Sequence, residues 1–180
     1  MLEKKIIIEK LKRCIEKLKK EDCYLIKNNA SERSIAHRLA VYLEEEFIGY
    51  NVDCEYNINI EHESGRKKIY LLKEEFKKYK SRNQKIEDKE VSIFPDIIIH
   101  KRGVNTDNIL VIEMKKDTST VEDDFDRFKL EKFTATYDGD NLFYKLGCAL
   151  KILTTSKKVY FELYEEGKLI ELEEEGVKWK

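Results

Sequence analysis

The sequence predicts a mixed α/β domain, and three features carry that expectation. Two amphipathic helical stretches open the chain, two continuous apolar runs lie near its centre, and another helical stretch separates these runs from strand-like segments at the end. Apolar residues recurring every three to four positions mark a helix that buries one face, whereas short unbroken apolar runs mark strands covered on both faces. Interleaving the two kinds of element favours one sheet flanked by helices.

Between Leu2 and Lys20, Ile7, Leu11, Ile15 and Leu18 recur at helical spacing among lysines and glutamates. This N-terminal helix is expected to pack on the core or to serve dimerisation. Asn28, Asn29 and Ser31 interrupt the pattern, and Ile35, Leu39, Tyr42, Leu43 and Phe47 then form the stripe of a second helix closed by Gly49. From Val52 to Ile60 the chain alternates, with Val52, Cys54, Tyr56, Ile58 and Ile60 on one face and Asp53, Glu55, Asn57 and Asn59 on the other. That alternation predicts a half-buried strand.

Residues 61–90 hold ten basic and seven acidic side chains, with the positive charge concentrated between 66 and 85. Leu71, Leu72, Phe76 and Tyr79 sit there at helical spacing, so a basic helical insertion is expected. Its lysines either form a solvated face or track phosphates; Tyr70 and Tyr79 could stack on bases, while Phe76 and Tyr79 are expected to fill core. Ser92 to His100 and Asn108 to Lys115 follow as the central strands, joined by the turn-rich Arg102, Gly103, Asn105, Thr106 and Asp107. Residues 122–134 place Phe125, Phe128, Leu130 and Phe133 on a helix, and Asp138 to Asn141 form a loop. Strands are expected at Leu146 to Leu153, Val159 to Tyr164 and Lys168 to Leu172, the last two joined as a hairpin through Glu165, Glu166 and Gly167. The acidic stretch from Glu162 to Glu175 would keep this hairpin soluble and away from nucleic acid.

Composition narrows the function classes. The 180 residues are 41% apolar and 39% charged, too apolar for a disordered tail and long enough for a core without disulfides or structural metal. With one proline and seven glycines, no linker-rich layout is expected, and residues 1–180 read as a single domain. The runs Ile97 to Ile99 and Ile109 to Ile112 fall far short of a membrane span, and charge returns at Glu9 and Lys10 before a signal-peptide apolar region can form. A cytoplasmic protein with no membrane partner is expected. Cys14, Cys23, Cys54 and Cys148 lack the close spacing of zinc ligands and read as reduced thiols. A net charge of -1 argues against a general polyanion binder, so any nucleic-acid contact must be local.

Two acids stand where charge is costly. Asp96 interrupts the apolar run Phe94-Pro95-Asp96-Ile97-Ile98-Ile99 beside the chain's only proline, and Glu113-Met114-Lys115 ends the run Ile109-Leu110-Val111-Ile112. About seven acid-x-base triplets are expected by chance in such a composition, so it is the position of this one that carries weight. Strand alternation puts Glu113 and Lys115 on one face and Met114 on the other. If the two strands pair as an antiparallel hairpin, Asp96 and Glu113 approach closely enough to share a hard cation, with Lys115 beside its water. A mutually paired structural ion cluster would satisfy the same charges.

At these residues the chain resembles the PD-(D/E)xK nuclease superfamily: Pro95-Asp96 matches the first half of its motif and Glu113-Met114-Lys115 the second. The resemblance runs in element order from about Ser31 to about Leu153 and implies a restriction-endonuclease-like fold, an α-β-β-β-α-β core with a mixed central sheet flanked by helices. It further implies a Mg²⁺-dependent endonuclease that hydrolyses phosphodiester bonds, with Mn²⁺ able to substitute, acting on DNA and with a homodimer as one arrangement. Carried over residue by residue, Asp96 and Glu113 would hold the metal, the Met114 carbonyl would add an oxygen, and Lys115 would orient or deprotonate the attacking water. In that family an acid on the preceding helix often completes the site, and Glu32 is its counterpart here, on the inward face shared with Ile35, Ala36 and Leu39. Secondary positions are Glu55, Lys129 and His100, the last contacting phosphate or merely pairing with a neighbour. The rival expectation is a restriction-like fold without catalysis, working as a nucleic-acid-binding or assembly module.

Overall fold

The computed structural model describes residues 2–59, 62–70, 75, 90–119, 124–136, 142–156 and 158–170. In chain order the elements are α1 (Lys4–Glu21), α2 (Cys23–Lys27), α3 (Glu32–Glu46), β1 (Asn51–Cys54), β2 (Lys68–Tyr70), β3 (Glu90–Ser92), β4 (Ile97–His100), β5 (Leu110–Lys116), α4 (Asp124–Thr134), β6 (Leu146–Leu153), β7 (Lys158–Glu165) and β8 (Lys168–Ile170). Six strands form one mixed sheet in the order β1-β4-β5-β6-β7-β8, and β2 pairs with β3 as a separate ribbon. Every neighbouring pair in the large sheet is antiparallel except β5 and β6, which run parallel with α4 as their crossover.

The two sheet faces bury different residues because side chains alternate along each strand. Ile97, Ile99, Leu110, Ile112, Met114, Leu146, Cys148, Leu150 and Ile152 pack on one side with α1, α2 and α3. Ile98, Val111 and Tyr164 pack on the other with Phe128, Leu130 and Phe133 of α4 and with Ile69 and Ile93 at the ribbon. All four residues of β4 and the first five of β5 are buried, as their unbroken apolar character requires of strands covered on both faces. The helix expected over Leu2 to Lys20 is α1, which buries Ile7, Leu11, Ile15 and Leu18 against α3 and the sheet. Among the described residues no helix is long and apolar enough to cross a membrane. All four cysteines are free thiols, with Cys14 and Cys148 buried.

The structure departs from the sequence reading in several places, among them the strand expected over Ser92 to His100, which is split into β3 and β4. The strand expected over Val52 to Ile60 stops at Cys54, because Glu55 adopts a left-handed backbone (φ 50°) that no strand can continue. Beyond it the pattern inverts: Asn57 and Asn59 are buried while Ile58 is exposed. The two asparagines are stabilised by polar partners, Asn57 accepting from Arg66 at 2.9 Å and Asn59 from Asn105 at 2.8 Å. Secondly, α2 is a short helix that the apolar pattern does not announce. It forms after Asp22, whose carboxylate receives both Arg38 and the Tyr42 hydroxyl. Thirdly, Lys67 is no part of a solvated face: it is 1% exposed, beneath the rings of Tyr56 and Tyr144. The helix expected at Leu71, Leu72, Phe76 and Tyr79, the side chain of Tyr70 and the loop Asp138 to Asn141 lie outside the described residues.

Candidate active site

The break between β3 and β4 is what presents Asp96. Pro95 cannot donate to a ladder, so Phe94-Pro95 separates the ribbon from the large sheet and the chain re-enters it at Ile97. Register then fixes the partner. Ile97 faces Ile112, Ile98 faces Val111 and Ile99 faces Leu110, so one further step brings Asp96 opposite Glu113. Both acids lie on the α4 side of the sheet, continuing the Ile98 and Val111 positions. An Asp96 carboxylate oxygen accepts the Met114 backbone N–H at 2.6 Å, which locks the side chain across the strand ends. Met114 itself turns its side chain to the opposite face, into the α1–α3 core.

Glu113 is 3% exposed and receives the Lys129 ammonium at 2.7 Å on one oxygen, while its other oxygen is buried without a hydrogen-bond partner among the described residues. Lys129 comes from α4, where Phe128, Leu130 and Phe133 anchor the helix on the sheet and leave the next polar position facing the strands. One turn earlier, Asp126 accepts from Lys129 at 2.9 Å and from Lys115 at 3.1 Å. The result is a chain of alternating charge, Lys115, Asp126, Lys129, Glu113, laid between β5 and α4. A cavity of about 80 Å³ lies beside it, lined by Glu113, Asp126, Arg127, Lys151, Tyr160 and Glu162 among others.

Burial and crowding set the electrostatics. Burial pushes the Glu113 carboxyl up from its usual range; Lys129 opposes this and the Asp96 and Asp126 charges add to it. Burial likewise raises Asp96, against the downward pull of the Met114 N–H and Lys129 and with the help of Asp126 and Glu32. Burial also acts to lower Lys129, but Glu113 and Asp126 outweigh it and hold its ammonium charged.

Glu32 reaches the same region from α3. Ser31 caps that helix by accepting the Ser34 N–H at 3.1 Å, and the Glu32 carboxylate accepts the Lys116 N–H at 2.9 Å, where β5 leaves the sheet. Lys116 returns the connection through its ammonium, which donates to the Asn29 side chain and the Ala30 carbonyl, both at 2.8 Å. Asp96, Glu113, Lys115 and Glu32, all picked out from the sequence, are thus brought to one end of β5. Lys129 joins them. Glu55 stands next to Asp96 through its backbone, its N–H donating to the Asp96 carbonyl at 3.3 Å, but its carboxylate pairs with Arg33 at 2.7 Å. His100 is turned elsewhere: its Nε2 lies 2.9 Å from Asp53 and its ring packs edge-on against Tyr56. Asp126 was not singled out by the sequence reading. Its three-residue spacing from Lys129, on a helix whose phenylalanines mark the buried face, was the available signal.

Comparison with protein-family models, with curated proteins and with solved structures returns no match. The chemistry must therefore be read from the residues. Among the described residues no three His, Cys, Asp or Glu side chains are gathered as a preformed metal cage. The donor set nonetheless suits a hard cation, since it offers carboxylate oxygens, one of them buried without a partner, beside a cavity with room for several water molecules.

Proposed function

We propose that this protein is a Mg²⁺-dependent nuclease of the PD-(D/E)xK type, hydrolysing phosphodiester bonds in DNA, with Mn²⁺ as an alternative ion. One observation carries the reading: Asp96 and Glu113 stand opposite each other on β4 and β5, with Lys115 on the same face of the strand that bears Glu113. The strand arrangement supports it. A helix, three antiparallel strands, a crossover helix and a fourth strand parallel to the third make up α3, β1, β4, β5, α4 and β6, the order a restriction-endonuclease-like core requires.

Asp96 and Glu113, with Glu32 and the Met114 carbonyl, would hold the cation. When bound, the ion stabilises negative charge on the attacking and leaving oxygens of an in-line displacement. The chain's own groups do the rest. Lys115, held by Asp126 on the same strand face as Glu113, would orient a water and offset charge developing on the phosphate. The water oxygen bonds to phosphorus, the bond to the leaving oxygen breaks, and the proton released by water is returned to that oxygen. Asp126 keeps the Lys115 ammonium near β5.

The Lys129–Glu113 pair favours one other reading, a restriction-like fold whose acids are neutralised internally and which serves as a nucleic-acid-binding or assembly module. Cleavage separates the two. Purified protein incubated with supercoiled plasmid, linear duplex, single-stranded DNA and RNA is expected to cut in Mg²⁺ or Mn²⁺, to stop in EDTA and to lose cutting in Lys115→Ala. No cutting of any substrate, with Mg²⁺ failing to bind, would favour the module.

A further inference from the structure

The most densely charged element of the site is a cation the protein supplies itself. The Lys129 ammonium lies between Glu113 at 2.7 Å and Asp126 at 2.9 Å, a seat formed by two carboxylates from different elements. Four acids share this region, since the Asp96 carboxyl feels Glu32 and Asp126 and the Glu113 carboxyl feels Asp96 and Asp126. Among the described residues, Lys115 and Lys129 pair with Asp126 and Glu113 of this group. Among the described residues the second Glu113 oxygen has no hydrogen-bond partner, and Glu113 and Asp126 line the same 80 Å³ cavity.

We propose that Lys129 is a displaceable counter-cation, which holds Glu113 and Asp126 together until a divalent ion is bound and then withdraws, leaving Asp126 as an additional oxygen ligand. This rests on the metal-dependent reading above and adds a residue to it. A lysine suits the role, because its charge is a compact point on a flexible four-carbon stem, where an arginine fork would be fixed by its geometry. The seated ammonium already lies 5.6 Å from the Phe125 ring, one helical turn earlier on α4, and that ring face can hold the charge as it withdraws. The seated ammonium also accounts for the lack of a preformed three-carboxylate cage among the described residues, since it occupies the space between two of the acids.

The test is Mn²⁺ binding by electron paramagnetic resonance on the full chain, comparing the unsubstituted protein with Lys129→Met and Asp126→Asn. Lys129→Met is expected to bind Mn²⁺ at least tenfold more tightly, and Asp126→Asn at least fivefold more weakly. Because Lys129→Met leaves a buried carboxylate without its partner, a second measurement uses the unsubstituted chain with ¹⁵N-labelled lysine side chains. At saturating Mg²⁺ the Lys129 ammonium resonance should move, whereas that of Lys67, buried beneath Tyr56 and Tyr144, should stay in place. Equal Mn²⁺ affinity in the unsubstituted protein and Lys129→Met, or a Lys129 resonance unmoved by bound Mg²⁺, would overturn the proposal while leaving the nuclease reading intact. Failure of all three proteins to bind Mn²⁺ would overturn both.

Discussion

Lys67 shows at the scale of one residue how burial reverses an inference from charge. Its place in a run of lysines and arginines suggests a solvated surface, yet the ribbon brings it under Tyr56 and Tyr144, and burial lowers its ammonium from 10.5 to about 8. A base whose folded pKa is depressed binds its proton more weakly in the folded than in the unfolded chain. Lys67 therefore contributes a rise in stability of roughly 3 kcal/mol as pH increases from about 8 to 10.5, against the fall contributed by the Cys14 and Cys148 thiols, which burial pushes up. Lys67→Met keeps the stem's volume and removes the buried charge. Urea denaturation should find Lys67→Met at least as stable as the unsubstituted protein at pH 7, and its advantage over the unsubstituted protein should shrink between pH 8 and 10.5. Profiles that stay parallel over that range would show that Lys67 does not titrate there.

Glu113 teaches the complementary lesson. The sequence made it conspicuous, as an acid ending an apolar run, but it could not reveal that a lysine sixteen residues later supplies its counter-charge. That contact depends on how α4 crosses the sheet. Removing one member of a buried ion pair costs about 3–5 kcal/mol, so Lys129→Ala should lower the denaturation midpoint far more than Lys151→Ala, an exposed lysine on β6. Equal effects would mean that the pair contributes nothing to folding.

At the scale of elements, the docking of α4 on β6 holds the site together. Gly147 of β6 lies where the helix comes closest: a Cβ there would meet Leu130 at 3.2 Å and Thr134 and Tyr164 at 3.3 Å. Three neighbours at that distance leave little room to yield, so Gly147→Ala should cost about 1–3 kcal/mol by overpacking. It should also loosen the placement of Lys129 and Asp126. Thermal denaturation checks the first effect, and an unchanged melting temperature would show that α4 rides further from the sheet.

Element boundaries were legible where one force dominates. The stripes of α1 and α3 and the apolar runs of β4 and β5 emerge because burial alone decides them. The tight hairpin between β7 and β8 was legible too, through Glu166 and Gly167, which both take positive φ. The strand after α3 was misread because Glu55 changes the backbone's handedness, and local alternation cannot announce that. It was Asn57 and Asn59, satisfied by Arg66 and Asn105, that made the inverted phase stable.

For the whole molecule, the sheet order turns two distant sequence signals into one site. Asp96 and Glu113 are seventeen residues apart in the chain and meet because β4 and β5 form neighbouring antiparallel strands. Glu32, eighty-four residues before Lys116, reaches the end of β5 because α3 packs across the same sheet. The pairing was foreseeable, since two buried strands joined by a turn-rich segment tend to lie side by side. Asp126 was not, because it depends on the crossover helix, whose angle no local pattern encodes.

The most direct test of the central claim is plasmid cleavage by Asp96→Asn against the unsubstituted protein, in Mg²⁺, with circular dichroism recorded on both. Asparagine retains the oxygen that accepts the Met114 N–H and loses the charge, so the fold should persist while cleavage falls at least a hundredfold. Full cleavage by a folded Asp96→Asn would contradict the assignment of this site as the place where the phosphodiester bond is broken.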